Sequence, residues 1–361
     1  TVGRLGGDEF AVVFPGVATA DQAQRSAQRL AAALREPYLL DGSISRIDVS
    51  IGIALFPGDG ATAEELLRRA DNALYRAKAS GRGAIACYEA IAESAATDEL
   101  MLEADLRRAL ELDQFELAYQ PIFDAATGLP VAFEALLRWR HPTRGMIAPS
   151  HFIPMAERSG VIEKLGRWVM NTACTEAATW AMPVRLAINL SPAQFRGPDL
   201  EDQVIETLHR SGLAPDRLDL EVTEGVLLEH SRDVLATMVS LRSLGVGLVL
   251  DDFGTANSSL SYLRDFPFQQ IKIDRSFVSS MMADPSAMTI VRMVLDMAAE
   301  MRLSVVAEGV EEQEELDALR RLGCGQVQGY LLGRPQSPER TREYLWQVNR
   351  RSGGVEALLG A

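Results

Sequence analysis

The sequence predicts an α/β protein in which a modified TIM-type (β/α)8 barrel follows a smaller α+β domain. Eight short apolar runs, rich in β-forming residues, recur through the second part of the chain, and each ends at a polar residue. Amphipathic helical stretches separate most of these runs. Eight such units occupy about 250 residues, which is the usual size of a (β/α)8 barrel. Residues 1–90 lack this repeat.

The smaller domain is predicted over residues 1–90. Strands are expected at Phe10–Phe14 and Ile47–Phe56, where β-branched and aromatic residues cluster. Apolar residues at helical spacing predict helices over Ala20–Leu34 and Ala63–Ala79. The glycines of Ser80–Gly83 are typical of a segment that ends a helix.

Residues 91–102 are polar and rich in alanine, which predicts a helical connector with the domain boundary near Thr97. The barrel is predicted over residues 103–350, and residues 351–361 form a tail. Its eight predicted strands are Phe115–Gln120, Val131–Leu136, Val184–Asn189, Leu218–Glu224, Val246–Asp252, Gln270–Asp274, Leu303–Glu308 and Gly325–Tyr330. Helices between them include Asp233–Leu244 and Met288–Met301. Near-continuous apolar strands indicate burial on both faces.

The connection between the first two barrel strands is too short for a parallel crossover. Ten residues separate Gln120 from Val131, and they include the turn-forming Thr127–Pro130. A parallel connection needs a dozen or more residues, usually with a helix. We therefore expect an antiparallel hairpin at the start of the barrel.

Composition places the chain among ordinary globular proteins. It has 361 residues, 47% hydrophobic and 24% charged, which excludes disordered and collagen-like classes. We expect no membrane contact, because no run of about 18 apolar residues occurs, although a longer parent protein could be tethered. Cys87, Cys174 and Cys324 lie far apart, which excludes a disulfide framework and favours a cytoplasmic location.

The net charge of −14 has the wrong sign for a protein that binds a nucleic-acid polymer through a basic surface. A surplus of carboxylates has two explanations at this point. It can serve solubility, or it can supply the oxygen ligands of a divalent-cation site. Composition alone does not choose between them.

Polar side chains occur at or near the ends of successive predicted barrel strands. The active site of a (β/α)8 barrel lies at the carboxyl ends of its strands. Clustered carboxylates there would repel one another without cations, and oxygen ligands suit Mg²⁺, Mn²⁺ or Ca²⁺. These residues are Glu134, Asn189, Glu221, Asp251, Asp252, Lys272, Asp274, Glu308 and Gln328.

Their chemistry points to displacement at phosphorus. One carboxylate of the adjacent Asp251 and Asp252 could bridge two ions, the arrangement used for in-line displacement. Lys272 could orient a water molecule or neutralise a phosphoryl oxygen, and Glu308 could take a proton. Any one of these residues alone is more often a cap, a turn residue or a solvated charge. Their occurrence at successive strand ends favours a site.

The barrel sequence contains an ordered set of motifs, which are YQPI (119–122), EALLRWRHP (134–142), INLSP (188–192), EVTE (221–224), DDFGT (251–255), IKIDRSFV (271–278), AEGVE (307–311) and QGYLLGRP (328–335). Through these motifs the chain resembles the EAL-domain cyclic-di-GMP phosphodiesterases from about Leu100 to Trp346. The resemblance implies hydrolysis of cyclic di-GMP to linear 5′-pGpG with two Mg²⁺ or Mn²⁺ ions, inhibition by Ca²⁺, and a homodimer through the EAL domain.

The resemblance assigns roles to individual residues. It implies metal binding by Glu134, Asn189, Glu221, Asp251, Asp252 and Glu308. It implies that Lys272 and Glu308 act on the attacking water, and that Arg138 binds phosphate, a task that suits the guanidinium fork. Further substrate contacts match Gln120, Asp274, Glu311 and Gln328.

Two of these matches depend on local structure. In a hairpin, the strand end at Gln120 faces away from the rim unless the strand continues past it. Glu224 resembles the residue that anchors the loop after the fifth strand. In that loop Ala256 and Asn257 stand where the family usually has glycine and then a variable residue, often tyrosine.

The first domain contains the motifs RLGGDEF (4–10), VSIGIA (49–54) and ADNALYRAKASGRG (70–83). Through these motifs it resembles the C-terminal half of a GGDEF diguanylate cyclase domain. The preceding half of that family supplies a metal-binding aspartate, guanine contacts and an inhibitory RxxD element, none of which lies in these 361 residues. Asp8 and Glu9 would then form half of a metal site, and a plain hairpin turn is the favoured interpretation.

Three functions therefore stay open. The favoured one is a metal-dependent phosphodiesterase, because every expected metal-binding residue is present. The second is a module that binds cyclic di-GMP without cleaving it. The third is a diguanylate cyclase in a longer parent protein. The four histidines, which show no ligand spacing, are predicted to be structural or exposed: His141, His151, His209 and His230.

Overall fold

The structure is a computed structural model that describes residues 1–6, 9–17, 19–40, 43–45, 47–79, 84–88, 90–195, 197, 199–229, 232–254, 263 and 265–359. Contacts divide the chain into two compact units, Thr1–Leu102 and Glu103–Ala361. No helix in the described part of the chain is long and apolar enough to cross a membrane.

Among the residues that the structure describes, the first unit contains three strand pairs and two complete helices. β1 pairs with β2 and β3 with β4, both antiparallel, while β5 and β6 are parallel. The strands are β1 Val2–Gly6, β2 Glu9–Val12, β3 Tyr38–Leu40, β4 Ser43–Ser45, β5 Ile51–Ile53 and β6 Ile85–Cys87. The helices are α1 Ala20–Leu34 and α2 Ala63–Ala79, and α3 Ala90–Ala109 continues into the second unit.

Both predicted helices of this unit form with the predicted bounds. The Thr19 hydroxyl accepts a hydrogen bond from the backbone N–H of Gln22, which fixes the start of α1. The expected strand Ile47–Phe56 shortens to β5, where a Cβ on Gly52 would lie 2.1 Å from the carbonyl oxygen of Ala70. Only glycine permits this close approach of strand and helix.

Some predictions for the first unit lie outside the described residues. Gly7 and Asp8 of the GGDEF turn are among them, and so is the segment Ser80–Gly83. The short strands β3, β4 and β6 were not predicted, because three residues are too few to show a period.

In the described part of the second unit, nine strands form one sheet. Strands β7 and β8 are longer than predicted, β9 was not predicted, and the others match the predicted positions within a few residues. They are β7 Phe115–Asp124, β8 Pro130–His141, β9 Gly145–Ile147, β10 Arg185–Leu190, β11 Leu218–Thr223, β12 Gly247–Phe253, β13 Gln270–Ile273, β14 Ser304–Ala307 and β15 Gln326–Val327.

Helices connect most of these strands. Those described are α4 Pro149–Arg158, α5 Val161–Ala178, α6 Pro192–Phe195, α7 Leu200–Ser211, α8 Arg232–Ser243, α9 Arg275–Ser280, α10 Pro285–Met301, α11 Gln313–Arg321 and α12 Pro338–Leu359, with 3-10 turns at Pro215–Arg217 and Glu224–Glu229. The last helix includes most of residues 351–361.

The sheet closes into an eight-stranded barrel. The strand order is β10-β11-β12-β13-β14-β15-β7-β8, and parallel pairing of β8 with β10 closes it, while β9 extends β8 outside the barrel. Strand β7 is antiparallel to both of its neighbours, and the other barrel pairs are parallel. The predicted antiparallel hairpin in a modified (β/α)8 barrel is confirmed.

Strand alternation decides which side chains face the barrel interior. In β11, Leu218, Leu220 and Val222 belong to the core formed with the helices. Glu221 lies between them in sequence and therefore points to the opposite, interior face. The same alternation on β13 directs Lys272 inward, because Ile271 and Ile273 belong to the outer core.

Candidate active site

The centre of the site is the ammonium group of Lys272, which lies among four carboxylates. Its Nζ is 2.6 Å from Glu308 Oε1 and 2.9 Å from Glu221 Oε2. It is 3.4 Å from Glu134 Oε2 and 3.5 Å from Asp251 Oδ1. The side chain of Lys272 is 1% exposed, so these carboxylates replace water around the charge.

Two amides hold the carboxylate of Glu134 in place. Asn189 Nδ2 donates to Glu134 Oε1 at 2.7 Å, and Gln328 Nε2 donates to Glu134 Oε2 at 2.8 Å. Burial alone would raise the pKa of Glu134, but Lys272 and the two amides outweigh it and hold that pKa below its usual value. Glu134 is therefore a fixed anion, and the amide oxygen of Asn189 is left for another partner.

The other carboxylates are crowded, and their pKa values rise. Burial, opposed by Lys272 and reinforced by Asp251, raises the pKa of Glu308 to about 8. Burial also raises the pKa of Glu221 well above its usual value. Burial and the neighbouring Asp251 raise the pKa of Asp252 to about 6. The negative charge of the site therefore exceeds what Lys272 balances. Burial alone would lower the pKa of Lys272, but the surrounding carboxylates outweigh it and raise that pKa well above its usual value.

An irregular backbone brings Asp251 and Asp252 to the same site. Consecutive residues of a regular strand point to opposite faces. Here Asp252 has a φ of +53°, and the register between β12 and β13 shifts between Leu250 and Phe253. As a result, oxygen atoms of Asp251, Asp252 and Glu308 all lie within 4.8 Å of one another. Such a group of oxygen ligands suits a divalent cation.

We call Lys272 and the four carboxylates around it, those of Glu134, Glu221, Asp251 and Glu308, the carboxylate ring. A cleft of about 240 Å³ opens above this ring. Its lining includes four residues of the ring and three predicted substrate contacts, Gln120, Glu311 and Gln328. Gln120 reaches the cleft because β7 continues past it to Asp124, and it pairs with Glu134 in the register. Its Nε2 donates to the carbonyl of Gly333 at 3.2 Å.

A family model described as "EAL domain" matches residues 103–335. The chain belongs to the EAL domain family. A second model, described as "Diguanylate cyclase, GGDEF domain", matches residues 1–84. The EAL match begins at Glu103, the first residue of the second compact unit.

Relatives in Pseudomonas aeruginosa carry both regions. The chain is 41% identical over 343 residues to the bifunctional diguanylate cyclase/cyclic di-GMP phosphodiesterase MucR, and the match covers 94% of this chain and 50% of MucR. It is 40% identical over 348 residues to the cyclic di-GMP phosphodiesterase NbdA, and the match covers 95% of this chain and 44% of NbdA. The chain thus spans about half the length of the curated relatives it matches.

The structural neighbours agree with the family. The solved structure of the PaMucR phosphodiesterase in complex with c-di-GMP has a TM-score of 0.65 and 41% sequence identity, and the match covers 66% of this chain and 99% of that one. The FimX EAL domain from Pseudomonas aeruginosa bound to c-di-GMP has a TM-score of 0.60 and 26% identity, covering 64% and 95% of the two chains.

Two predicted substrate residues of the EAL domain are not among the described residues that line the cleft. Arg138 donates from Nη1 to the carbonyl of Leu137 at 3.0 Å. Asp274 caps α9 by accepting a hydrogen bond from the backbone N–H of Ser276 at 3.0 Å. Arg138 lies four residues after Glu134, and Asp274 lies two residues after Lys272, so alternation directs each toward the same face as its ring residue.

Sequence reasoning missed Arg275 and Tyr330, which also line the cleft of the EAL domain. Arg275 Nη2 is 2.9 Å from Glu311 Oε1. Its stem packs on Gly309, where φ is +70° and a Cβ would lie 2.2 Å from Arg275 Cγ. The guanidinium of Arg334 lies 4.4 Å from the centre of the Tyr330 ring. Arg275, Gly309, Tyr330 and Arg334 all belong to motifs named in the sequence analysis. Their position in these motifs, close in sequence to predicted site residues, was a signal that could have identified them.

Glu224, the predicted loop anchor, and His141 both make local structural contacts. Glu224 Oε1 accepts a hydrogen bond from the backbone N–H of Gly254 at 3.2 Å, at the start of the loop after β12. Ala256 and Asn257 of that loop lie outside the described residues. In the EAL domain, His141 Nε2 is 3.1 Å from Asp105 Oδ2, which joins the end of α3 to β8.

Proposed function

We propose that this chain is a metal-dependent phosphodiesterase that hydrolyses cyclic di-GMP to linear 5′-pGpG. One observation carries the proposal: oxygen atoms of Asp251, Asp252 and Glu308 converge within 4.8 Å at the base of a cleft in an EAL domain. The similarity to PaMucR, solved with c-di-GMP, supports the choice of substrate.

The residues fit divalent cations. The donor set is made of carboxylate and amide oxygens, the preferred ligands of Mg²⁺ and Mn²⁺. Burial and the neighbouring carboxylates raise the pKa of Glu308 and Asp252, so added positive charge would stabilise their ionised forms. We assign two ions to Glu134, Asn189, Glu221, Asp251, Asp252 and Glu308. When bound, such ions neutralise phosphoryl oxygens and activate water.

Glu308 is the residue we assign as proton acceptor. Burial raises its pKa to about 8 in the metal-free protein, and the positive charge of bound ions would keep the carboxylate ionised near neutral pH, as a general base requires. Lys272 lies 2.6 Å from Glu308 Oε1 and so fixes its carboxylate. In the proposed step, water attacks phosphorus and gives one proton to Glu308. The bond from phosphorus to O3′ breaks, O3′ takes a proton from solvent water, and Glu308 returns its proton to solvent, which yields a 5′-phosphate and a 3′-hydroxyl.

The remaining polar groups of the cleft would bind the substrate. Gln328 Oε1 is buried and has no hydrogen-bond partner among the described residues, so it can accept from a guanine N–H. Gln120 and Glu311 line the same cleft. Arg138 and Asp274 would complete the contacts at the rim, where a guanidinium can bind phosphate with two hydrogen bonds.

The deciding experiment gives purified chain cyclic di-GMP with Mg²⁺ or Mn²⁺ and identifies products by mass spectrometry. Formation of 5′-pGpG supports the proposal, and its inhibition by Ca²⁺ supports the metal assignment. Binding without product would instead establish the sensor function. A parallel reaction with GTP tests for cyclase activity, which we do not expect.

We further propose that the chain acts in the cytoplasm as a homodimer through its EAL domain. Cys87, Cys174 and Cys324 are free thiols, which suits a reducing compartment. Light scattering coupled to gel filtration tests the oligomeric state. A monomer across the concentration range would reject the dimer and leave the proposed activity unaffected.

A further inference from the structure

Lys272 reaches across the barrel rather than along its wall. Following the strand order, β8 lies four steps from β13 in either direction around eight strands, so the two strands face each other. Yet Lys272 Nζ on β13 is 3.4 Å from Glu134 Oε2 on β8. The ammonium therefore lies near the barrel axis, where it contacts carboxylates from opposite walls.

The carboxylates around Lys272 are the same ones that we assign to divalent ions. Its Nζ is 2.9 Å from Glu221 Oε2 and 2.6 Å from Glu308 Oε1, so it uses lone pairs that a metal ion would need. A lysine that served only the attacking water would require contact with Glu308 but not with Glu134 or Glu221. An ammonium and a divalent ion at the same oxygens also repel each other.

We propose that Lys272 is a built-in counter-cation that holds the carboxylate ring together in the metal-free protein and competes with divalent ions for it. This inference rests on the proposed function in that the ring binds metal. The ring keeps its geometry without metal because the ammonium balances part of its charge. Metal binding then requires the ammonium to give up some of these contacts, which lowers the affinity for metal.

The proposal predicts opposite effects on two quantities. Removing the ammonium leaves the ring carboxylates without their cation, so the metal-free protein should melt at a lower temperature. Removing the same charge eliminates its repulsion of the incoming ion, so metal should bind about 10- to 100-fold more tightly. If Lys272 only activated water, its removal would change neither the metal affinity nor the stability of the metal-free protein in this way.

The test compares Lys272→Met with wild type by calorimetric titration with Ca²⁺, and by thermal denaturation in EDTA. Lys164→Met on the exposed side of α5 is the matched control, since it removes the same charge away from the ring. We expect tighter Ca²⁺ binding and a lower melting temperature for Lys272→Met, and no change for the control. Equal or weaker Ca²⁺ binding by Lys272→Met would overturn the inference.

The outcomes separate this inference from the proposed function. If neither wild type nor Lys272→Met binds metal, both fail together. If both bind with equal affinity, the counter-cation role alone fails. Should Lys272→Met fold only when Ca²⁺ is added, that result supports the inference, because the ion then replaces the missing ammonium.

A measurement on wild type covers the case in which the variant does not fold at all. The ¹⁵N signal of a buried lysine ammonium is observable by NMR because its protons exchange slowly. Titration with Ca²⁺ should shift or broaden the Lys272 signal in proportion to site occupancy. A signal that stays unchanged at saturating Ca²⁺ would overturn the proposal.

Discussion

Replacing Glu308 with glutamine is expected to stabilise the metal-free protein at pH 8 while abolishing hydrolysis. The Glu308 carboxyl has an ordinary pKa of 4.5, and burial raises it to about 8 in the folded protein. Between these values the folded state holds a proton that the unfolded chain has released. The stability of wild type therefore falls as pH rises through this window.

The magnitude follows from the linkage between protonation and folding. One such group lowers the free energy of unfolding by about 1.4 kcal/mol per pH unit within the window. At pH 8 the accumulated loss is about 4 kcal/mol, which Glu308→Gln avoids because glutamine does not ionise. At about 2–4 °C per kcal/mol for a domain of this size, the melting temperature should rise by roughly 10 °C.

Thermal denaturation in EDTA between about pH 5 and pH 8 provides the assay. Wild type and Glu308→Gln should have similar melting temperatures at the acid end and diverge toward pH 8. Glu163→Gln, at an exposed position of α5, is the matched control and should follow wild type. A melting temperature of wild type that stays flat or rises with pH would refute the reasoning, as would a variant that is no more stable at pH 8.

Three further predictions concern the site and its predicted substrate contacts. Glu134→Gln should abolish hydrolysis at saturating Mg²⁺ and leave the protein folded, because it removes a charged oxygen of the ring; normal turnover would contradict its role as a ligand. Arg138→Ala should weaken cyclic di-GMP binding, measured calorimetrically with Ca²⁺, by about one to two decades, the cost of roughly 1.5–3 kcal/mol for a charge-assisted contact; an unchanged dissociation constant would show a packing role. Gly309→Ala should raise KM because its Cβ would displace Arg275, whose Cγ lies 2.2 Å from that position. Gly323→Ala, with φ +79° and no heavy atom within 4 Å, should cost similar stability, about 1 kcal/mol, without changing KM; equal KM values in the two variants would show that backbone strain alone acts at Gly309.

Local patterns in the sequence were enough for the longer elements and for the identity of the ring residues. The bounds of α1 and α2 follow from helical spacing and punctuation, which are properties of neighbouring residues. The antiparallel hairpin of β7 and β8 follows from a connection too short for a crossover. Glu221 and Lys272 follow from strand ends, because parallel strands of a barrel bring those ends to one rim.

Tertiary structure alone decided how these residues meet. Alternation would have separated Asp251 from Asp252, and a positive φ at Asp252 brings them together. Arg275 enters the cleft because Gly309, distant in sequence, leaves room for its stem. Lys272 reaches Glu134 because closure of the barrel places β13 opposite β8. Sequence periodicity reports which face a side chain occupies, whereas such contacts depend on loop geometry and ring closure, which couple residues more than a hundred positions apart.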